Sequence, residues 1–239
     1  AVNLQELMEQ EMNIRVSQDN VLGSSMSIQG LSGENVKILI DGVPVVGRMN
    51  GNVDLSQINL NNIERVEIVE GPLSVNYGTN ALAGTINLIT KKSKKRFGAK
   101  AEGYYETVGQ YNLNASVDLA KNTHALTLSG GRNFFDGFSF EDTSRVQQWR
   151  PKEQIFGSIK YSNTIKKLAY QIKGDVFEEN LISRGAPRKP YGETAFDDYF
   201  ATYRISSGIN ATYKIKKGQE INVLAGYNYY QRTKARYLK

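Results

Sequence analysis

The stretch from Ile63 to Lys92, "IERVEIVEGPLSVNYGTNALAGTINLITKK", decides how the rest of the chain is read. Val66, Ile68 and Val69 among charged neighbours suit a short strand, and "TINLIT" (Thr85–Thr90) suits a second. Between them Gly71-Pro72 marks a turn, and Gly78 and Gly84 permit positive φ or the close approach of another backbone. A basic run, "KKSKKR" (Lys91–Arg96), follows at once. A crowded segment between two strands, with cations at its exit, reads as one domain handing over to a part of different character.

At 239 residues there is room for one large domain or two smaller ones. Hydrophobic residues make up 40%, mean hydropathy is −0.45, and fourteen tyrosines stand against one tryptophan, so the apolar content is low and skewed toward amphipathic rings. No apolar run reaches the roughly 20 residues of a membrane-spanning helix. The first residues are charged and amphipathic rather than signal-like, and the stretch reads as mature, trimmed or a fragment. With no cysteine and one histidine, His124, thiolate chemistry, histidine-rich metal clusters and Ser-His-Asp triads are all disfavoured. The expectation is therefore no catalytic residue, no metal site, no cofactor and no enzyme. A net charge of +6 suits an anionic partner, whether nucleic acid, lipid head group or acidic ligand.

The two halves follow different patterns. In the first, "NLQELMEQEM" carries Leu4, Leu7, Met8 and Met12 at helical spacing, with Asn3 as N-cap and Glu6 three residues on. Short strands ("IRVSQ", "MSIQG", "NVKILID", "ERVEIVE", "TINLIT") are bounded by Gly, Asn and Asp, and Asp41-Gly42 is a turn, which together give a compact α+β domain. From Phe97 the pattern becomes long alternation. Leu113, Ala115, Val117 and Leu119 oppose Asn112, Asn114, Ser116 and Asp118. Tyr203, Ile205, Ile209, Ala211, Tyr213 and Ile215 oppose Arg204, Asn210, Thr212 and Lys214. About seven such strands can be drawn.

A soluble antiparallel sandwich also alternates in this way. Three features favour a transmembrane β-barrel instead. The strands are long, and Tyr105, Tyr111, Tyr161, Tyr203, Tyr213, Tyr227 and Tyr229 lie on the apolar face near strand ends. Short connections ("KN", "NTIKK", "KKGQ") also alternate with long ones ("FFDGFSFEDTSRVQQWRPK", "ENLISRGAPRKPYGETAFDD"). Seven strands cannot close in lipid without unpaired backbone, so a partner or further chain is expected to complete the wall.

A polar domain ahead of barrel strands is what a plugged barrel requires. "MSIQGL", "VKILIDGVPV" and the Ile63–Lys92 stretch resemble, in order and spacing, the plug motifs of TonB-dependent outer-membrane receptors. The resemblance covers residues 3–96 by motif and the remainder by pattern. It implies an α+β plug domain over 1–92 with its N-terminal part missing, a basic linker over 93–96, and antiparallel transmembrane β-barrel strands over 97–239, the N-terminal portion of a larger barrel in the bacterial outer membrane. It further implies energised uptake of a scarce, bulky nutrient (ferric siderophore, haem or cobalamin), the plug gating the barrel. TonB and outer-membrane lipid are the implied partners, TonB acting through a segment upstream of the first plug helix, so these residues alone are not expected to be energised. "GNVDLSQINL" (Gly51–Leu60) resembles the plug of cobalamin receptors, which leans the reading toward the cobalamin and siderophore group. In the family the residues before the Gly of "IxG" and before "GP" are commonly arginines paired with barrel glutamates; here they are Gln29 and Glu70, so that pairing cannot form in the usual way. The competing function is a non-transporting barrel acting as adhesin or signalling receptor. Nucleic acid is not expected, because "KKSKKR" lacks the interleaved aromatics of a stacking surface and suits a linker beside anionic head groups.

By the same resemblance two plug loops map onto apical ligand contacts: "LSGEN", with Ser32 and Glu34, and "GRMNGN", with Arg48, Met49, Asn50 and Asn52. Arg48 could meet an anionic chelate and the asparagines could bond amides or hydroxyls, though both loops read equally well as ordinary solvated turns. Phe134, Phe135 and Phe138 with Trp149 in one long loop, and Tyr191, Phe196 and Tyr199 in the other, either contact ligand or pack the loops together. His124 falls at a short-turn strand end, away from the outer mouth, and adds little to a haem reading.

Overall fold

A computed structural model of the chain describes residues 2–19, 23–49, 52–71, 81–93, 96–141, 144–189 and 192–239. The N-terminal body runs α1 (Leu4–Met8), β1 (Ile14–Asp19), β2 (Gly23–Ile28), β3 (Leu31–Ser32), a 3-10 turn (Gly33–Asn35), β4 (Val36–Ile40) and β5 (Val43–Pro44). It continues with β6 (Arg48–Met49), β7 (Asn52–Val53), a second 3-10 turn (Leu55–Gln57), β8 (Ile63–Glu70) and β9 (Gly84–Thr90).

Asn3 caps α1 as its residue type predicts. Its carbonyl oxygen accepts from the Glu6 N–H at 3.1 Å, and the Glu6 carboxylate accepts from the Val2 N–H at 2.8 Å. The helix ends at Met8, sooner than the spacing predicts, and Met12 is fully exposed. The chain turns there toward β1, the Ile14 N–H bonding to the Glu11 carbonyl, so a further helical turn would have no core to face. β9 lies between β4 (parallel) and β8 (antiparallel) in the sheet β5-β4-β9-β8. Its Ile86 and Leu88 are wholly buried with Leu4, Met8, Ile28 and Leu55, and Thr85, Asn87 and Thr90 between and beside them are buried too, as suits a central strand. Asp41 and Gly42, both at positive φ, turn β4 into β5. Gly84 permits the close backbone approach expected of it, since a Cβ there would lie 2.8 Å from the Val69 carbonyl oxygen. Gly78 lies outside the described residues.

The second body is one seven-stranded antiparallel sheet in chain order: β10 (Phe97–Glu106), β11 (Gln110–Lys121), β12 (His124–Phe135), β13 (Lys152–Ile165), β14 (Leu168–Arg184), β15 (Phe196–Lys216) and β16 (Gln219–Leu238). β10 and β16 are its edges. Burial is the reverse of a soluble sandwich. Asn112, Thr127, Gln154, Lys173, Glu179 and Thr202 are buried, whereas Leu113, Val176 and Ile209 each remain about half exposed. The polar face covers the N-terminal body and the apolar face is bare.

The strands exceed their sequence-based limits. β13 pairs through Ile165↔Leu168, leaving Lys166 and Lys167 as the turn where "NTIKK" was expected to be a loop. β14 and β15 stay paired out to Arg184↔Asp197, so much of the expected second loop is strand. Phe134 and Phe135, expected in a long loop, are the last residues of β12 and pair with Tyr111 and Gln110. In each case cross-strand hydrogen bonding continues past the point where alternation fades.

Candidate functional site

The two long connections (136–151 and 185–195) and the short turn 107–109 gather at one end of the sheet, and a cavity of about 480 Å³ opens there between the two bodies. α1 and the residues around Asp54 form its floor; Val108, Phe135, Phe138 and Trp149 supply apolar surface; Asn112, Asn133, Arg150, Lys152 and Gln154 supply polar surface.

The floor is fixed by Asp54. One carboxylate oxygen accepts from the Ser24 N–H and hydroxyl and from the Ser56 N–H and hydroxyl, at 2.8 to 3.2 Å. Gly23, at φ +87°, is required for this: a Cβ there would sit 2.0 Å from the Asp54 carboxylate. The floor is then held to the sheet. Glu179 accepts from Gln57 and from Gln154, each at 2.7 Å, Arg204 donates to the Gln57 carbonyl at 2.9 Å, and Lys152 donates to the Ser56 hydroxyl at 3.3 Å. A carboxylate as buried as Glu179 is stable only with such partners.

Not every group in the cavity is satisfied. The Nδ2 of Asn112, the Oδ1 of Asn133 and one terminal nitrogen of Arg150 are buried without a hydrogen-bond partner. The residues that carry these two donors and one acceptor line a space walled partly by rings, an arrangement suited to an organic ligand carrying amide or carboxylate oxygens and a broad apolar face.

Above the cavity Phe138 and Trp149 exchange backbone hydrogen bonds at 2.8 and 3.1 Å, and their rings pack with Phe140 at centroid distances of 5.4 to 5.7 Å. Arg145 clamps this connection to the next. It donates to both carboxylate oxygens of Asp197, at 2.5 and 2.9 Å, and to the Gly185 carbonyl at 3.2 Å. The Arg145 guanidinium, helped by the Gly185 N–H, holds the Asp197 carboxyl below the usual carboxylate range.

Phe135 and Trp149 line the cavity, whereas the Phe134 ring stacks on Tyr111 at a centroid distance of 5.0 Å, on the apolar face of the sheet. Arg48 instead joins the two apical loops, donating to the Gly33 carbonyl at 2.8 Å and the Val36 carbonyl at 2.9 Å. Ser32 ends β3, Glu34 lies in the first 3-10 turn, and Met49 pairs opposite Asn52 across β6 and β7. Asn50 and Tyr191 lie outside the described residues. Asn112, Asn133, Arg150, Gln154 and Glu179 escaped the sequence reading. Arg150 lies in the 136–151 connection, and each of the others is one inward polar residue in an alternating strand, so only the registers bring them together.

A second set of contacts seats the N-terminal body lower in the sheet. The Asp41 carboxylate accepts from the Thr90 N–H at 2.9 Å and hydroxyl at 2.7 Å, and from Gln171 at 3.3 Å, with the Lys173 ammonium 3.8 Å away. Lys173 donates to the Ile40 carbonyl at 2.5 Å, and Lys160 to the Thr90 hydroxyl at 2.6 Å and to the Lys91 carbonyl. Here the cations belong to the sheet and the acceptors to the body it surrounds. Gln29 and Glu70 do not reach the sheet: Gln29 donates to Glu70 at 3.4 Å.

Residues 1–85 match the family described as TonB-dependent Receptor Plug Domain. The vitamin B12 transporter BtuB of Vibrio vulnificus (strain CMCP6) is 33% identical over 145 residues, 59% of this chain and 24% of that protein. Among solved structures, the FrpB iron transporter of Neisseria meningitidis superposes over 97% of this chain and 39% of its own, with TM-score 0.74 and 15% identity. The siderophore receptor PirA of Acinetobacter baumannii covers 98% and 42%, with TM-score 0.66 and 15% identity. The chain thus spans about two fifths of these structures and, over the aligned residues, about a quarter of the curated relative. The recognition made from the motifs holds: residues 1–85 are a plug domain of the TonB-dependent receptor kind, and the antiparallel strands after it have the fold of such receptors.

Proposed function

We propose that the chain serves TonB-dependent, energised uptake of a scarce, bulky nutrient across the bacterial outer membrane, residues 1–92 forming the plug, 93–96 a basic linker and 97–239 part of the barrel wall. The reading rests on one observation above all: the wall buries its polar face against the plug and leaves its apolar face bare. That suits lipid outside and an aqueous lumen inside. The long-loop end is then extracellular and the short-turn end periplasmic.

The ligand lodges first in the cavity of about 480 Å³. Phe135 and Trp149 offer rings, Asn112 and Arg150 donate, and Asn133 accepts; Phe134 backs this site from the other face of β12. Ser32, Glu34, Met49, Asn50 and Asn52 of the apical plug loops and Tyr191 of the second long connection are further candidate contacts for the ligand, with Arg48 holding the two loops in register. Amides, a guanidinium and rings are poor metal ligands, so a metal arrives inside its own organic chelate. Ferric siderophore and cobalamin fit this lining and accord with the named relatives. Haem fits less well, since His124 bonds to the Tyr161 hydroxyl at 2.7 Å at the short-turn end. TonB pulling on the plug and lipid around the wall are the partners this function needs.

The test is binding of cyanocobalamin, a ferric catecholate and haemin to the full-length gene product in detergent, together with growth on each as limiting nutrient. One ligand is expected to bind, and Phe135→Ala with Trp149→Ala to weaken it at least about tenfold, roughly 1.4 kcal/mol. Binding without growth would indicate a non-transporting receptor. Adhesion with no binding would remove the uptake reading altogether.

A further inference from the structure

The rim at the short-turn end of the wall, around the turns 122–123, 166–167 and 217–218, is cationic. Lys121, Lys166, Lys167, Lys214, Lys216 and Lys217 lie in these turns or in the last residues of the strands that enter them. Among the described residues none of these lysines is ion-paired. Toward the other end of the wall, by contrast, Arg132, Arg145, Lys234 and Arg236 each hold a carboxylate at 2.5 to 3.0 Å.

Lys167, Lys214, Lys216 and Lys217 line a hollow of about 670 Å³ between two neighbouring turns. Contacts to the backbone fix its shape. The Lys167 ammonium donates to the Ile215 carbonyl at 2.8 Å, and the Lys214 N–H donates to the Lys167 carbonyl at 2.9 Å. Glu220 also lines the hollow, but its carboxylate accepts from Asn222 at 3.1 Å. The hollow therefore keeps an excess of positive charge. Beside it the apolar face of the wall begins. Ile165, Leu168, Tyr213 and Ile221 are directly paired across β13 to β16 and so share one face, with Ile165, Tyr213 and Ile221 about half exposed.

We propose that this hollow binds the phosphate of an anionic phospholipid of the periplasmic leaflet, whose acyl chains lie along the Ile165–Ile221 row. Unpaired lysines beside bare apolar surface match both parts of such a lipid, whereas a soluble anion would use the lysines alone. Lysine stems can lie on the apolar row while their ammonium groups reach the phosphate. The inference rests on the lipid-facing wall of the uptake reading, and its test separates the two.

The full-length gene product in neutral detergent is titrated with dioleoyl phosphatidylglycerol, dioleoyl phosphatidylcholine and the soluble head group glycerophosphoglycerol, bound molecules being counted by native mass spectrometry. Phosphatidylglycerol is expected to bind at least about tenfold more tightly than phosphatidylcholine, and glycerophosphoglycerol not to bind. Joint replacement by glutamine (Lys167→Gln, Lys214→Gln, Lys216→Gln, Lys217→Gln) is expected to abolish the preference, and joint replacement by arginine to keep it. Equal binding of the two lipids by the wild type, or a preference unchanged in the glutamine variant, would overturn the site. Glycerophosphoglycerol binding as tightly as the lipid would make this a site for a soluble anion and overturn the lipid assignment. Growth of the wild type on the limiting nutrient reads uptake separately, so either reading can fail while the other stands.

Discussion

At the scale of single residues, Asp41 links the inside of the plug to the wall. It bonds within the plug to Thr90 and sits near Lys173, whose side chain is 7% exposed. Removing one partner of a buried ionic pair costs about 3–5 kcal/mol, since the other is left uncompensated. Asp41→Ala is therefore expected to lower the denaturation midpoint of the plug in detergent by that order, and Asp41→Asn by less, because an amide oxygen still accepts from Thr90. Equal, negligible effects of both would show that the seat lies elsewhere. Gly23 is the second such position. Gly23→Ala brings a methyl into the Asp54 carboxylate and is expected to destabilise by at least the ~1–2 kcal/mol of a lost cap, read as a lower unfolding midpoint. Residues acting within four positions of their partners, such as Asn3 with Glu6, could be identified from sequence. Glu179 could not, because it meets Gln57 across 122 positions.

At the scale of elements, strands were legible where one face meets apolar surroundings and the other meets the plug. Ile209, Ala211 and Tyr213 against Asn210 and Thr212 is such a run. Toward the long-loop end like residues follow one another, as in Leu181-Ile182, Asp197-Asp198 and Tyr199-Phe200, so alternation no longer marks the strand although hydrogen bonding continues. That is why β14 and β15 proved longer than expected, and why the first-helix pattern outran α1 once its core ended. The first residues of β15 carry the Arg145–Asp197 clamp. A carboxyl with a depressed folded-state pKa stabilises fully above its ordinary value near 4 and loses that contribution as pH falls through the lowered value. Trp149, the sole tryptophan, reports on the clamped connection. Its emission is expected to shift red as pH falls below about 4, and to be already shifted at neutral pH in Arg145→Gln. An emission unchanged down to pH 2 in the wild type would contradict the clamp.

At the scale of the whole molecule, the plug is held by cations of the wall on carbonyls and a carboxylate of the plug, while Gln29 and Glu70 bond to each other. The sequence showed that the usual arginines were missing but not what replaced them, because Lys160 and Lys173 look like any other inward residues of an alternating strand. The most direct measurement is spin-label accessibility in lipid bilayers, with single cysteines at Val176 and Ile209 on one face and at Asp175 and Ser206 on the other. The first pair is expected to be reached by oxygen and shielded from a water-soluble nickel complex, and the second pair, held against the plug, to be poorly reached by oxygen, alternating residue by residue. Equal exposure of both faces to the nickel complex, or shielding of all four positions by protein in plain buffer, would contradict a wall with lipid on one side and water on the other.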